Sequence, residues 1–144
     1  MEVVAKMPTF TMGGQAPDPR HKAVLSVLRA LNSASDDIEA SAVISGDGLT
    51  IASVLGEGVD ADRFGAMCAS LLALADRAAQ EIRRGQLKQV LIEGDRGVVL
   101  LVYAGDDAVL AVAARPTINL GMVFLEARKT APKVQAAMTG TGSI

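Results

Sequence analysis

Gly56-Glu57-Gly58-Val59-Asp60-Ala61 has the G-x-G-x-x-A spacing of a loop that cradles a dinucleotide pyrophosphate. It follows an apolar stretch that reads as a strand and opens one that reads as a helix, the local context such a loop needs. Two features argue against that chemistry. The fingerprint belongs to a parallel β-α-β unit, whereas the preceding strand here is paired through a tight hairpin. Glu57, Asp60 and Asp62 would also set three carboxylates where a pyrophosphate must sit. A flexible loop leading into a capped helix accounts for the same residues.

The remaining reactive side chains are scattered. His21 is the single histidine, so neither a multi-histidine metal site nor a histidine-based triad has support. Cys68 is the single cysteine, which excludes an intrachain disulfide and a thiolate metal cluster. It falls on an apolar helix stripe, where a buried structural thiol is the default. The pairs Asp36-Asp37 and Asp106-Asp107 lie in turns, where solvation explains them. Arg83, Arg84 and Lys88 cluster at the end of a long helix. The helix dipole favours cations there, and a contact for an acidic partner surface is the sharper reading. Asn119-Leu120-Gly121 reads as an ordinary capped helix start. No catalytic group, metal or cofactor is expected, and the chain is not read as an enzyme.

The elements that would position these residues follow from hydrophobic patterning. The 144 residues are one domain's worth. Aromatics make up only 3% and Trp is absent, so the core is built from Ala, Val, Leu, Ile and Met. A net charge of −2 argues against nucleic acid or an anionic membrane as the partner. No secretory signal and no membrane-spanning run is visible, which makes the cytoplasm the expected location.

Residues 1–18 read as an irregular, flexible tail, 19–138 as the domain and 139–144 as a loose end. A first helix starts near Pro19, with Val24, Val27, Leu28 and Leu31 at helical spacing. Strands follow at 42–45 and 49–55, turned at Gly46-Asp47-Gly48. A helix over 60–84 is capped by Asp60 and ended by Gly85. Strands at 87–93, 97–103 and 108–115 come next. The last two are unbroken apolar runs and should be central, whereas Lys88, Gln89 and Glu93 mark the first as an edge. A final helix starts at Asn119 with Leu120, Val123, Phe124 and Ala127 inward, and Pro132 kinks or stops it. The order α-β-β-α-β-β-β-α predicts an α+β fold. It has a five-stranded antiparallel sheet, the long helix on one face and the terminal helices on the other.

The long helix carries more apolar surface than one sheet requires. Phe64, Met67, Cys68, Leu71, Leu74, Ala75, Ala78 and Ile82 form a stripe expected to face the sheet. Ala66, Ala69, Leu72, Ala73 and Ala79 form a second, small-residue face. Only Arg63, Ser70, Arg77 and Glu81 keep a strip clearly wet, so a subunit interface is the simplest reading.

The chain resembles the Roadblock family, whose members include dynein light chains and bacterial regulators of small Ras-like GTPases, among them the gliding-motility polarity regulator. The resemblance rests on the segments 42–52 (AVISGDGLTIA), 60–67 (DADRFGAM), 89–93 (QVLIE), Gly97, 108–112 (AVLAV) and Leu120-Gly121, in that order and spacing. It implies a homodimer, or a heterodimer with a second Roadblock chain, in which the long helix packs on its mate and the third strand pairs edge to edge. The implied interface positions are Ala66, Ala69, Leu72, Ala73, Asp76, Lys88, Val90 and Ile92. The resemblance also implies a small Ras-like GTPase as partner, which Arg77, Arg83 and Arg84 could touch. It leaves open whether the chain activates the GTPase or only scaffolds it. A small-molecule sensor and a purely structural adaptor are the alternatives, and the Ala- and Val-filled central strands favour a packed core over a sensor's pocket.

Overall fold

A computed structural model describes residues 18–116 and 119–140. The expected tail at 1–17 and the end at 141–144 lie outside the described residues. The elements are α1 (His21–Ala34), β1 (Ile38–Ser45), β2 (Thr50–Val54), α2 (Ala61–Glu81), β3 (Gln89–Gly94), β4 (Gly97–Tyr103), β5 (Ala108–Ala114) and α3 (Leu120–Thr139). The strands form one antiparallel sheet in the order β2-β1-β5-β4-β3. The apolar runs β4 and β5 are internal, and β3 is an edge strand, as their patterning predicts.

Each face of the sheet has its own core. On one face Val24, Leu28 and Leu31 of α1 and Val123, Ala127 and Val134 of α3 pack on Val43, Leu100, Leu110 and Val112. On the other face Cys68 and Leu72 of α2 pack on Ala42, Ile44, Leu101 and Ala111. The two residue sets alternate along each strand, as a pleated sheet requires.

The strand at 42–45 extends back to Ile38. Its register with β5 shifts between Ile38 and Ala40, so Glu39 sits at an irregularity that breaks the apolar alternation. Leu87 precedes β3 rather than starting it, and packs half-buried against the α2 side. Helix α2 ends at Glu81, three residues before the expected last residue. Arg83, at φ 61°, takes the left-handed position expected of Gly85. Arg84 N–H donates to Ala79 C=O (2.7 Å) and Arg83 N–H to Gln80 C=O (2.9 Å), closing the turn. Pro132 does not stop α3, which runs through to Thr139 and ends at left-handed Gly140. The ring is exposed, so the carbonyl that loses its N–H partner is left near solvent. Leu120, expected inward, is 37% exposed because it sits at the first position of the helix.

The largest departure concerns the orientation of α2. Its buried residues are Gly65, Cys68 and Leu72. Met67 (62%), Leu74 (65%) and Ile82 (64%), assigned to the sheet-facing stripe, are exposed, and Leu71 is exposed by 37%. Gly65 explains the rotation. A Cβ there would overlap the Thr50 hydroxyl and touch Ile44. The Thr50 hydroxyl in turn donates to Ala61 C=O at 2.8 Å. The helix therefore approaches the sheet along its glycine and small residues, which turns its large apolar side chains away.

Candidate functional site

The exposed flank of α2 is the first half of the candidate site. Gly65 lies over Thr50, and the turn glycine Gly48 lies against Ala66 and Ala69. That flank of the helix is thus held at the β1–β2 hairpin end of the sheet. The opposite flank carries Met67, Leu71, Leu74 and Ala78 and borders the rest of the same sheet face.

The second half is that part of the sheet. Ile92 pairs with Val99, Val99 with Ala113, and Ala113 with Ala40, so the four form one row across the strands. The row two residues away, Val90–Leu101–Ala111–Ala42, is the one beneath Cys68 and Leu72. Period-two alternation puts Ile92, Val99, Ala113 and Ala40 on the same face. Ile92 is 40% exposed, and the other three are half-buried. A helix flank and a sheet floor, both apolar, therefore meet beside β3. Among the described residues that strand bonds only to β4, so its outer backbone groups have no strand partner there.

The implied interface residues divide between these surroundings. Ile92 and Lys88 are exposed on β3 and its approach, and Val90 is half-buried against the α2 core. Ala66 and Ala73 are exposed, but on the far side of the polar strip Arg63, Ser70, Arg77 and Glu81 from Leu74. Ala69 is half-buried over Gly48. Leu72 is 3% exposed and belongs to the core, which removes it from any contact surface. Asp76 accepts hydrogen bonds from Leu87 N–H (2.9 Å) and the Gln80 amide (2.8 Å), so its carboxylate anchors the α2–β3 connection. Arg77, Arg83 and Arg84 are all exposed, and the Arg84 guanidinium donates to Ile82 C=O at 3.2 Å. Sequence reasoning missed the outward placement of Met67, Leu71 and Leu74. The available signal was Gly65, because a glycine inside a helix is costly unless a close approach requires it.

The other candidates resolve into structural roles. Asp60 caps α2 by accepting from Arg63 N–H at 3.1 Å, so a carboxylate already occupies the place of an anion at that helix start. The strand before it is antiparallel, unlike that of a dinucleotide-binding unit. The His21 ring nitrogen Nδ1 lies 2.9 Å from Ile51 C=O and tethers α1 to β2. The Arg20 guanidinium holds the Asp18 carboxyl down to about 2, and the pair closes the start of α1. Among the described residues no group of three His, Cys, Asp or Glu side chains could hold a metal ion, and no helix is long and apolar enough to cross a membrane.

Burial pushes the Cys68 thiol up to about 11. At pH 8 almost none of it is thiolate, and its site in the α2 core blocks access. An aromatic disulfide reagent should therefore label the native protein about a hundredfold more slowly than the urea-unfolded chain. Equal rates would place Cys68 at the surface.

Comparison with known proteins fits this architecture. The Roadblock/LC7 domain family matches residues 25–114. Two uncharacterized proteins of Methanocaldococcus jannaschii are each 40% identical over 110 residues, covering 76% of this chain and 95% of their own. Among solved structures, Myxococcus xanthus MglB superposes with a TM-score of 0.78 at 16% identity, over 88% of this chain and 96% of that one. A second MglB structure, described as having a tetrameric arrangement, gives 0.75 at 17% identity over 86% and 93%. At these identities the structural likeness speaks for the fold, and the sequence match covers more than half of the chain. The chain belongs to the Roadblock/LC7 domain family.

Proposed function

We propose that this chain is a non-catalytic, dimeric Roadblock module that binds and regulates a small Ras-like GTPase. The observation that carries the reading is the apolar flank Met67–Leu71–Leu74 beside the unpaired edge of β3. A second copy related by a twofold axis offers the same flank and the same edge, so one operation covers both. In this arrangement α2 packs on its mate through Met67, Leu71, Leu74 and Ala78. Strand β3 pairs with its copy through 88–92, with Val90 and Ile92 at the junction. This refines the implied interface: the large side chains replace the Ala66–Ala69–Ala73 face, and Leu72 and Asp76 support the seam from inside. The exposed arginines Arg77, Arg83 and Arg84 then border the joined helices, where a GTPase surface would meet them.

The experiment uses the Ras-like GTPase encoded nearest to this chain in its genome, loaded with GDP or a non-hydrolysable GTP analogue. Binding to one nucleotide state at least about tenfold tighter than to the other is expected, since a regulator must discriminate the two. Altered nucleotide turnover marks a regulator of hydrolysis, and binding without altered turnover marks a scaffold. No binding in either state contradicts the reading and favours an adaptor role.

A further inference from the structure

The helical layer on the opposite face of the sheet has a charge pattern unlike the rest of the chain. Lys22 and Arg29 on α1 and Arg128, Lys129 and Lys133 on α3 are all exposed, and the only acid on either helix is Glu126. The remainder of the chain holds nine lysines and arginines against fifteen acids. A chain of net charge −2 thus concentrates positive charge in its α1–α3 layer, where Lys129 and Lys133 line the space between the two helices and Arg29 and Arg128 face outward to either side.

Between the two helices runs a cleft of about 360 Å³. Its α1 wall carries Ser26, Ala30 and Ala34, four residues apart on one helix face, and its α3 wall carries Lys129, Thr130 and Lys133 with one carboxylate, Glu126, leaving one net positive charge on the lining. Thr130 is 5% exposed, yet its hydroxyl has no hydrogen-bond partner among the described residues. Buried hydroxyls are normally paired, and a threonine inside a helix commonly bonds back to its own previous turn. An unpaired hydroxyl lining an open cleft is a group awaiting a partner. Lys133 has no ion pair among the described residues, and Lys129 reaches Glu126 only at 3.7 Å.

We propose that the α1–α3 cleft binds an acidic amphipathic helix from a partner protein. The small residues on α1 let an incoming backbone approach closely. The Thr130 hydroxyl donates to a carboxylate or carbonyl on the incoming segment, and Lys129 and Lys133 meet its acidic side chains. Leu125, 55% exposed one turn before Lys129, offers an apolar contact at the rim. Charge complementarity identifies the occupant as acidic, and the recessed hydroxyl favours a segment that enters the cleft over a membrane that covers it. This surface lies across the sheet from the α2 seam and does not depend on the dimer or GTPase reading.

The test uses the full chain and a synthetic helix of about eighteen residues, roughly five turns, with glutamates on one face and leucines and alanines on the other. A peptide with the same pattern carrying glutamine is the control. Binding should weaken at least about tenfold with the glutamine peptide and by a similar factor in a Lys129→Glu, Lys133→Glu variant. Thr130→Val should weaken it several-fold while leaving the unfolding midpoint no lower, because it removes an unpaired buried hydroxyl. Amide shifts on binding should centre on Ala30, Ala34, Thr130 and Lys133. Leu74→Glu should bind the peptide as the unaltered chain does, which separates this proposal from the dimer reading. Equal affinity for both peptides, indifference to the lysine changes, or tighter binding to phosphatidylserine vesicles or duplex DNA than to the acidic peptide would overturn it.

Discussion

Replacing Leu74 with glutamate is expected to leave a folded monomer. Leu74 is 65% exposed in the single chain, so the charge can stay in water while the domain folds. In the proposed dimer the same position faces a second copy, and by symmetry each substitution is felt twice. Each loses about 1.5–3 kcal/mol of leucine burial, and an unpaired carboxylate trapped in the seam adds about 3–5 kcal/mol. Even a fraction of that sum weakens association by at least about a thousandfold. Light scattering after size exclusion should give one chain mass, 14.9 kDa, with unchanged far-ultraviolet circular dichroism. Arg77→Glu, on the polar strip, should keep the mass of the unaltered protein. An unchanged mass for Leu74→Glu would remove α2 from the interface.

Gly97→Ala is expected to cost the fold more than any other single-methyl addition among the turn glycines of the sheet. Gly97 opens β4 at φ 141°, a region that side chains avoid, and a Cβ there would overlap the carbonyl oxygen of Ala114 on β5. That obstacle is backbone within an antiparallel pair, where Val98 already pairs with Ala114, so it cannot yield without breaking the ladder. Backbone strain of about 1–3 kcal/mol adds to an overpacking cost of about 1–3 kcal/mol. A loss of about 3 kcal/mol or more in urea unfolding should result, a large share of a marginal stability. Gly94→Ala, across the same two-residue turn, is the control. Its Cβ would sit 3.7 Å from Gly97 C=O, an ordinary contact, and should cost less than about 1 kcal/mol. Equal losses at 94 and 97 would refute the steric account.

What the sequence reading missed on α2 comes from contacts between distant segments, whereas what it caught is local pattern. The central strands could be read directly, because Val98–Val102 and Ala108–Ala113 lack the polar alternation of a half-exposed strand. The edge character of β3 was legible from Lys88 and Glu93. The exposed apolar flank of α2 was harder, because the excess of apolar surface follows from composition and its position does not. Excess apolar surface on α2 signalled that something must cover it, and hydrophobicity favoured turning Met67, Leu71 and Leu74 inward. The actual rotation is set by Gly65 against Thr50, a contact between segments fifteen residues apart that no helical periodicity encodes. Asp76 and Leu72 illustrate the same limit. One is tied to Leu87 N–H and the other fills the core, and both facts depend on where the chain returns after α2. On the opposite face, the cations of α1 and α3 were visible one by one. Their meeting on one surface requires the two helices, almost ninety residues apart, to lie side by side.

The most direct test of the dimer is a cysteine scan along α2. Cys68 is buried and inert, so a single cysteine introduced at 63, 67, 70, 71, 74, 77 or 78 reports its own surroundings. Under mild oxidation, cysteines at 67, 71, 74 or 78 should give disulfide-linked dimers, strongest nearest the twofold axis, and those at 63, 70 and 77 should stay largely unlinked. Dimers that form only from the polar strip, or no dimers at any position, would contradict the seam on which this reading of the protein rests.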